Sequence, residues 1–68
     1  MLWINIGEKS YQVVGVNIKI DGDNSELWAE RPSGKTIKLA TGDEETIRLH
    51  KEAIDFSVKE GHKTYTII

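Results

Sequence analysis

Residues 27–39 read LWAERPSGKTIKL, and this stretch determines the fold predicted for the chain. Proline has its φ angle already set for the second position of a turn, and glycine accepts the left-handed conformation that comes later in it. Residues 31–35 therefore predict a three-residue hairpin loop, a type I turn closed by a glycine bulge. Arg31 then faces Lys35, and the two arms pair outward from that point.

This register assigns every side chain of the hairpin to one face of a sheet. Side chains alternate between faces along a strand, so the apolar residues of both arms share the core face. Trp28 and Lys38 are left opposite each other on the outer face. The predicted pairs are Glu30 with Thr36, Ala29 with Ile37, Trp28 with Lys38, and Leu27 with Leu39.

The residues before the hairpin predict two strands. Residues 2–6 alternate and form the first, while residues 10–20 form a long second strand whose apolar phase changes between Val13 and Val14. A phase change beside Gly15 is typical of a bulge or sharp bend, which carries a strand from one sheet layer into another. The alternative is two adjacent buried valines without a bend.

The residues after the hairpin predict more strands. A turn at 41–45 leads into a strand at 46–50, and a last strand follows at 64–68. Residues 51–53 either form one helical turn or run directly into a strand at 54–58. We find no stretch with apolar residues at helical spacing over three turns.

The sum is one all-β domain spanning residues 1–68. Several short strands with closely spaced turns favour a small antiparallel barrel of five to seven strands, SH3-like, with a bent second strand. An open curled β-meander is the alternative. The predicted core consists of Leu2, Ile4, Ile6, Val14, Val16, Ile18, Ile20, Leu27, Ala29, Ile37, Leu39, Ile47, Leu49, Ile54, Phe56, Val58, Tyr65 and Ile67.

Composition limits the classes of function. The 68 residues include no cysteine, so neither a disulfide nor a cysteine metal site is available. The net charge of −2 gives no bulk attraction to nucleic acid. No apolar run approaches the roughly 20 residues that span a membrane, and no signal-peptide pattern is visible. We expect a cytoplasmic protein without a membrane partner.

Motifs for catalysis and metal binding are incomplete. Gly34-Lys35-Thr36 matches the last three residues of a phosphate-binding loop, but position 29, where that loop requires glycine, is alanine. Asp21, Asp23 and Ser25 begin like a calcium loop that then lacks its glycine and its glutamate. No serine or histidine has an evident acid–base partner. We therefore expect no enzyme activity, no metal and no cofactor.

One surface patch follows from extending the hairpin register. An odd-length loop at 41–45 would pair Lys38 with Arg48 and Thr36 with His50, so Trp28, Lys38 and Arg48 would form a row on the outer face. Two facing cations repel, and stacking of Lys38 on the Trp28 ring would offset this. The alternative is an ordinary solvated strand face with Trp28 half covered.

Trp3 is a second tryptophan that is predicted to lie on an outer face, because it is out of phase with Leu2 and Ile4. An exposed aromatic side chain on a small domain often marks a partner surface. The alternative is a second small core in which Trp3 packs against Tyr11 and Val13.

The function that these features favour is a non-enzymatic interaction module that docks a protein partner, such as an accessory or inhibitor protein. A homo-oligomer that buries Trp3 or Trp28 is one form of this hypothesis. The alternative is a binder of an anionic ligand, a nucleotide or single-stranded nucleic acid, through an aromatic and basic sheet face. The candidate binding residues are Trp28, Lys38, Arg48, Trp3, His50 and Lys51.

Overall fold

The computed structural model describes residues 1–68 and is mostly β, with six strands and one helix. The elements in chain order are β1 (Leu2–Ile6), β2 (Lys9–Val13), β3 (Gly15–Asp21), β4 (Asn24–Glu30), β5 (Thr36–Gly42), α1 (Glu44–Lys59) and β6 (Thr64–Ile67).

The strands form two three-stranded sheets, ordered β2-β1-β6 and β3-β4-β5. All pairs are antiparallel except β1 and β6, which run parallel. The expected closed, SH3-like barrel is not observed. A helix follows β5 where two further strands were predicted, so no strand of that region is available to join the two sheets.

The bend predicted beside Gly15 is confirmed. β2 and β3 are nearly continuous in sequence but belong to different sheets, and Val14 lies between them. The change of phase falls after Val14 and not before it, because Val13 is 1% exposed, Val14 is 48% exposed and the next buried residue is Val16. Val14 was therefore wrongly assigned to the core, and Val13 takes its place.

The hairpin of residues 27–39 has the predicted turn. The amide of Arg31 donates to the carbonyl of Lys35 at 2.8 Å, and Gly34 has a φ of 89°. Trp28 faces Lys38 as predicted, and the two predicted pairs nearer the turn, Ala29 with Ile37 and Glu30 with Thr36, are also present. The register then shifts, because Leu27 faces Ala40 instead of Leu39. This bulge leaves one extra residue in β5, and Leu39 remains buried.

The predicted strands 46–50 and 54–58 are wrong, because residues 44–59 form the helix α1. Its start is capped by the Asp43 carboxylate, which accepts a hydrogen bond from the Thr46 amide at 2.8 Å. Glu44 and Glu45 place negative charge in the first turn, and Lys59 places positive charge in the last. Each end therefore complements the helix dipole.

The helix was missed because its core face is only partly apolar. Ile47 and Ile54 are buried two turns apart, and the turn between them presents His50 and Lys51, both half-buried. Ser57 continues the same face and is also buried. Three polar residues on the buried face hid the helical spacing that the two isoleucines follow.

The buried core includes residues of β1 to β5 and of α1, and the helix packs against β3, β4, β5 and β6. Five residues predicted for the core are exposed instead: Val14, Ile20, Leu49, Phe56 and Val58. Leu49 and Phe56 lie on the outward face of the helix, and Ile20 lies near the tip of the β3–β4 hairpin. The buried core residues are Leu2, Ile4, Val13, Val16, Leu27, Ala29, Leu39, Ile47 and Ile54.

Candidate interaction surfaces

The predicted row of Trp28, Lys38 and Arg48 is not formed. Trp28 and Lys38 face each other across β4 and β5, but Arg48 lies on α1 and pairs with Glu44 one turn away. The predicted pairing of His50 with Thr36 is absent for the same reason. A helix presents successive residues in every direction, so it cannot continue the ladder of a sheet.

Trp28 belongs to a different cluster, which Glu26 organises. The indole Nε1 of Trp28 donates to Glu26 Oε1 at 3.0 Å, and Lys38 Nζ lies 3.3 Å from Glu26 Oε2. Lys19 Nζ lies 4.2 Å from the centroid of the Trp28 ring. The cation that covers the indole is therefore Lys19 of β3. The predicted stacking of Lys38 on the Trp28 ring is not observed.

The electrostatics of this cluster stabilise the ionised carboxylate. The hydrogen bond from Trp28 is the largest cause that lowers the pKa of Glu26, and the charges of Lys38 and Lys19 act in the same direction. Partial burial opposes them without reversing the shift. The ionised Glu26 carboxylate thus neutralises part of the positive charge of the two lysines around Trp28.

Sequence reasoning missed Lys19, although a signal for it was present. Gly22 and Asp23 form a two-residue turn in which Gly22 has a φ of 62°, as the first position of such turns prefers in hairpins. Counting outward from that turn pairs Lys19 with Glu26. Lys19 is then a diagonal neighbour of Trp28 on the same face.

Trp3 lies on the other sheet, so the two tryptophans do not form a common patch. Its side chain is 43% exposed on the face of β1 opposite to Leu2 and Ile4. Tyr11 and Val13 pair with Ile4 and Leu2 and face the core. A second small core of Trp3 with Tyr11 and Val13 is therefore wrong.

The outer face of the β2-β1-β6 sheet carries only uncharged side chains. We call it the Trp3 face, and it consists of Trp3, Asn5, Ser10, Gln12, Thr64 and Thr66. Ser10 Oγ donates to Asn5 Oδ1 at 2.6 Å, and Asn5 Nδ2 donates to Thr66 Oγ1 at 3.5 Å. These bonds cross all three strands and fix the orientation of the central asparagine.

His50 and Lys51 lie on α1, away from the strand face predicted for them. His50 Nδ1 is 3.0 Å from the Tyr65 hydroxyl, and the two rings meet edge to face. Burial raises the pKa of Tyr65. Lys51 Nζ pairs with Asp55 at 2.6 Å within the helix. His50 therefore links the helix to β6.

The structure contains no pocket and no group of three or more side chains arranged to hold a metal ion. Its single helix is neither long enough nor apolar enough to cross a membrane. Comparison of the chain with protein families, with curated proteins and with solved structures gives no match.

Proposed function

We propose that the protein is a non-enzymatic interaction module that docks a protein partner through the Trp3 face. The observation that carries this proposal is a half-exposed tryptophan on a sheet face without any charged side chain. Charged residues make up 29% of the chain, so this face differs from the rest of the surface. The centres of protein interfaces are depleted in charge and enriched in tryptophan.

The Trp3 face is also prepared for binding. β1 is the central strand of its sheet, and the Trp3 amide donates to the Lys63 carbonyl at 2.9 Å, so the backbone that carries the indole is held on both sides. The side-chain bonds of Asn5 order the polar part. A surface that is already ordered loses little conformational entropy when a partner docks.

The chemistry of the face defines the partner surface. Trp3 would enter an apolar recess, while the hydroxyl and amide groups of Ser10, Gln12 and Thr64 around it would exchange hydrogen bonds with uncharged polar groups. Binding of this kind has little salt dependence, because no ion pair forms on contact.

Photo-cross-linking tests the proposal. A photoreactive residue at Gln12, on the Trp3 face, is compared with one at Lys35, in the β4–β5 turn, both expressed in cells of the source organism. We expect a discrete cross-linked protein from position 12 that disappears when Trp3→Ser is added and that position 35 does not capture. Equal capture from both positions, or capture that survives Trp3→Ser, would contradict the proposal. Cross-linking of the chain to itself would identify a homo-oligomer.

The alternative function, binding of an anionic ligand, is supported by one observation. Lys19 and Lys38 both flank Trp28, an arrangement that suits a nucleotide base with its phosphate. Arg48 and Lys51 no longer contribute to this site, and Glu26 opposes an anion. Titration with oligothymidylate distinguishes the alternatives. Binding to the Trp28 cluster would weaken steeply with salt and with Lys19→Gln, whereas Trp3→Ser would leave it unchanged.

A further inference from the structure

The helix α1 carries an unpartnered outward stripe in which acidic and apolar side chains alternate. Its inner face already packs against the sheets, whereas Leu49 is 60% exposed and Phe56 is 55% exposed. These two residues are seven positions apart and so lie on one line along the helix, about 10 Å apart. The stripe consists of Glu45, Leu49, Glu52 and Phe56 of the helix and of Glu60 at its C-terminal cap.

The carboxylates of the stripe have no partner within the chain. Four other charged residues of the helix are paired, Arg48 with Glu44 and Lys51 with Asp55. Glu45, Glu52 and Glu60 form neither an ion pair nor a side-chain hydrogen bond, in a structure that describes every residue. Free carboxylates therefore flank both exposed apolar side chains.

The negative charge of the protein is concentrated on α1 together with its two capping residues, Asp43 and Glu60. Residues 43–60 contain six acidic and three basic side chains, a net charge of −3, whereas the whole chain has −2. The remaining residues are therefore slightly positive. Lys59 is the one basic side chain of the helix without an ion pair, and it lies beside the stripe in the last turn.

Phe56 is held in place from one side. Its ring meets the ring of His62 edge to face, with centroids 6.2 Å apart and an interplanar angle of 85°. His62 belongs to the segment after the helix, and its amide donates to the Ser57 carbonyl at 2.8 Å. A fixed aromatic ring at an exposed position suits the anchor of an interface.

We propose that this stripe docks a partner protein that presents a basic amphipathic helix, with apolar residues at heptad spacing and Lys or Arg beside them. Leu49 and Phe56 would pack into the apolar seam, and the carboxylates of Glu45, Glu52 and Glu60 would pair with the flanking cations. A second copy of the chain is disfavoured, because it would bring the same carboxylates face to face. This surface is separate from the Trp3 face and does not depend on the function proposed for it.

The test uses a synthetic peptide of three heptads with leucine at the seam positions and lysine beside them, titrated against the whole protein by calorimetry. We expect binding that weakens about tenfold in the double variant Leu49→Ser, Phe56→Ser. Glu45→Gln together with Glu52→Gln should weaken binding and reduce its salt dependence. Ile20→Ser removes an apolar side chain of β3 that is 77% exposed and so more exposed than either stripe residue, and this control variant should bind like the wild type.

Two further peptides separate specific docking from simple charge attraction. A peptide with glutamate in place of lysine, and one with serine in place of leucine, should both fail to bind. Equal binding of either peptide, or an equal loss of binding in Ile20→Ser, would overturn the proposal. So would a self-association of the protein, seen by sedimentation, that Phe56→Ser abolishes. Trp3→Ser should leave peptide binding unchanged, and a loss of binding in that variant would place the site elsewhere.

Discussion

Glu26 connects three elements on the outer face of the β3-β4-β5 sheet, because its carboxylate binds Trp28 and Lys38 while Lys19 covers the indole. Its lowered pKa means that the folded state holds the ionised form more strongly than the unfolded chain does. Such a group contributes stability that is present above the unfolded-state pKa and is lost as the pH falls through the folded-state pKa. The cluster is thus a stabilising contact that weakens in acid.

We therefore expect Glu26→Gln to lower the free energy of unfolding at neutral pH and to have much less effect in acid, below the lowered pKa of Glu26. Urea unfolding at several pH values measures this difference. Glu30→Gln is the control, because Glu30 lies on the same strand and face without an ion pair. An equal loss in both variants at neutral pH would mean that the Glu26 contacts contribute nothing specific.

At the scale of elements, α1 depends on its N-terminal cap. Asp43 accepts hydrogen bonds from the amide and, at 3.2 Å, from the hydroxyl of Thr46, and these bonds lower the pKa of Asp43. Serine and asparagine cap helices about as well as aspartate, whereas alanine does not. The stability of the helix should therefore depend on whether the side chain at position 43 can accept these hydrogen bonds, and not only on whether it carries a negative charge.

We expect Asp43→Ala to lower the melting temperature at neutral pH and Asp43→Asn to restore most of the loss. The effect of Asp43→Ala should shrink as the pH falls through the lowered pKa of Asp43, because the wild-type cap is then protonated. Thermal unfolding followed by circular dichroism measures both. Asp23→Ala, in the exposed β3–β4 turn, is the control and should unfold like the wild type.

The two faces of α1 can be distinguished by a pair of truncations. Ile54 is fully buried, so Ile54→Ala should leave a cavity and cost about 2–5 kcal/mol of unfolding free energy. Leu49 is 60% exposed, so Leu49→Ala should cost less than about 0.5 kcal/mol. Chemical denaturation compares them directly. Similar losses in both variants would favour the alternating strands predicted for residues 46–50 and 54–58 over the helix.

At the scale of the whole molecule, β6 joins the last residues of the chain to the first strand and to the helix. It runs parallel to β1, and its Tyr65 hydroxyl meets Nδ1 of His50 at 3.0 Å. Burial raises the pKa of Tyr65, so the folded state favours the neutral phenol. An acid of this kind contributes stability that is present below its unfolded-state pKa and lost as the pH rises through the folded-state value.

We expect the protein to lose stability above about pH 10, the ordinary pKa of tyrosine, and Tyr65→Phe to reduce that loss. At neutral pH the same variant should be destabilised by about 0.5–1.5 kcal/mol, because His50 loses its hydrogen-bond partner. Denaturation across alkaline pH measures both effects. Tyr11→Phe is the control, and an equal change in that variant would remove the role assigned to the contact between Tyr65 and His50.

The local features of the fold were accessible from sequence. The turn at 31–35, the facing of Trp28 and Lys38, and the bend beside Gly15 each depend on residues close together in the chain. The helix start also left a local signal, an aspartate followed by two glutamates. The prediction failed where alternating apolar residues at 54–58 were compatible with a strand, and the burial of neighbouring residues decided between the two structures.

The sequence by itself determined the mostly-β class, the central hairpin and the change of sheet at Val14, because turn chemistry and alternation act over a few residues. Only the tertiary structure decided that α1 covers the sheets, that β6 runs parallel to β1, and which apolar residues stay exposed. The reason is that the core face of α1 includes His50, whose partner Tyr65 lies on another element. The hairpin register could not be extended past Gly42, because a bulge shifts it at Leu27 and α1 follows β5. The Trp3 face and the outward stripe of α1 therefore replace the predicted row of Trp28, Lys38 and Arg48 as the surfaces to test.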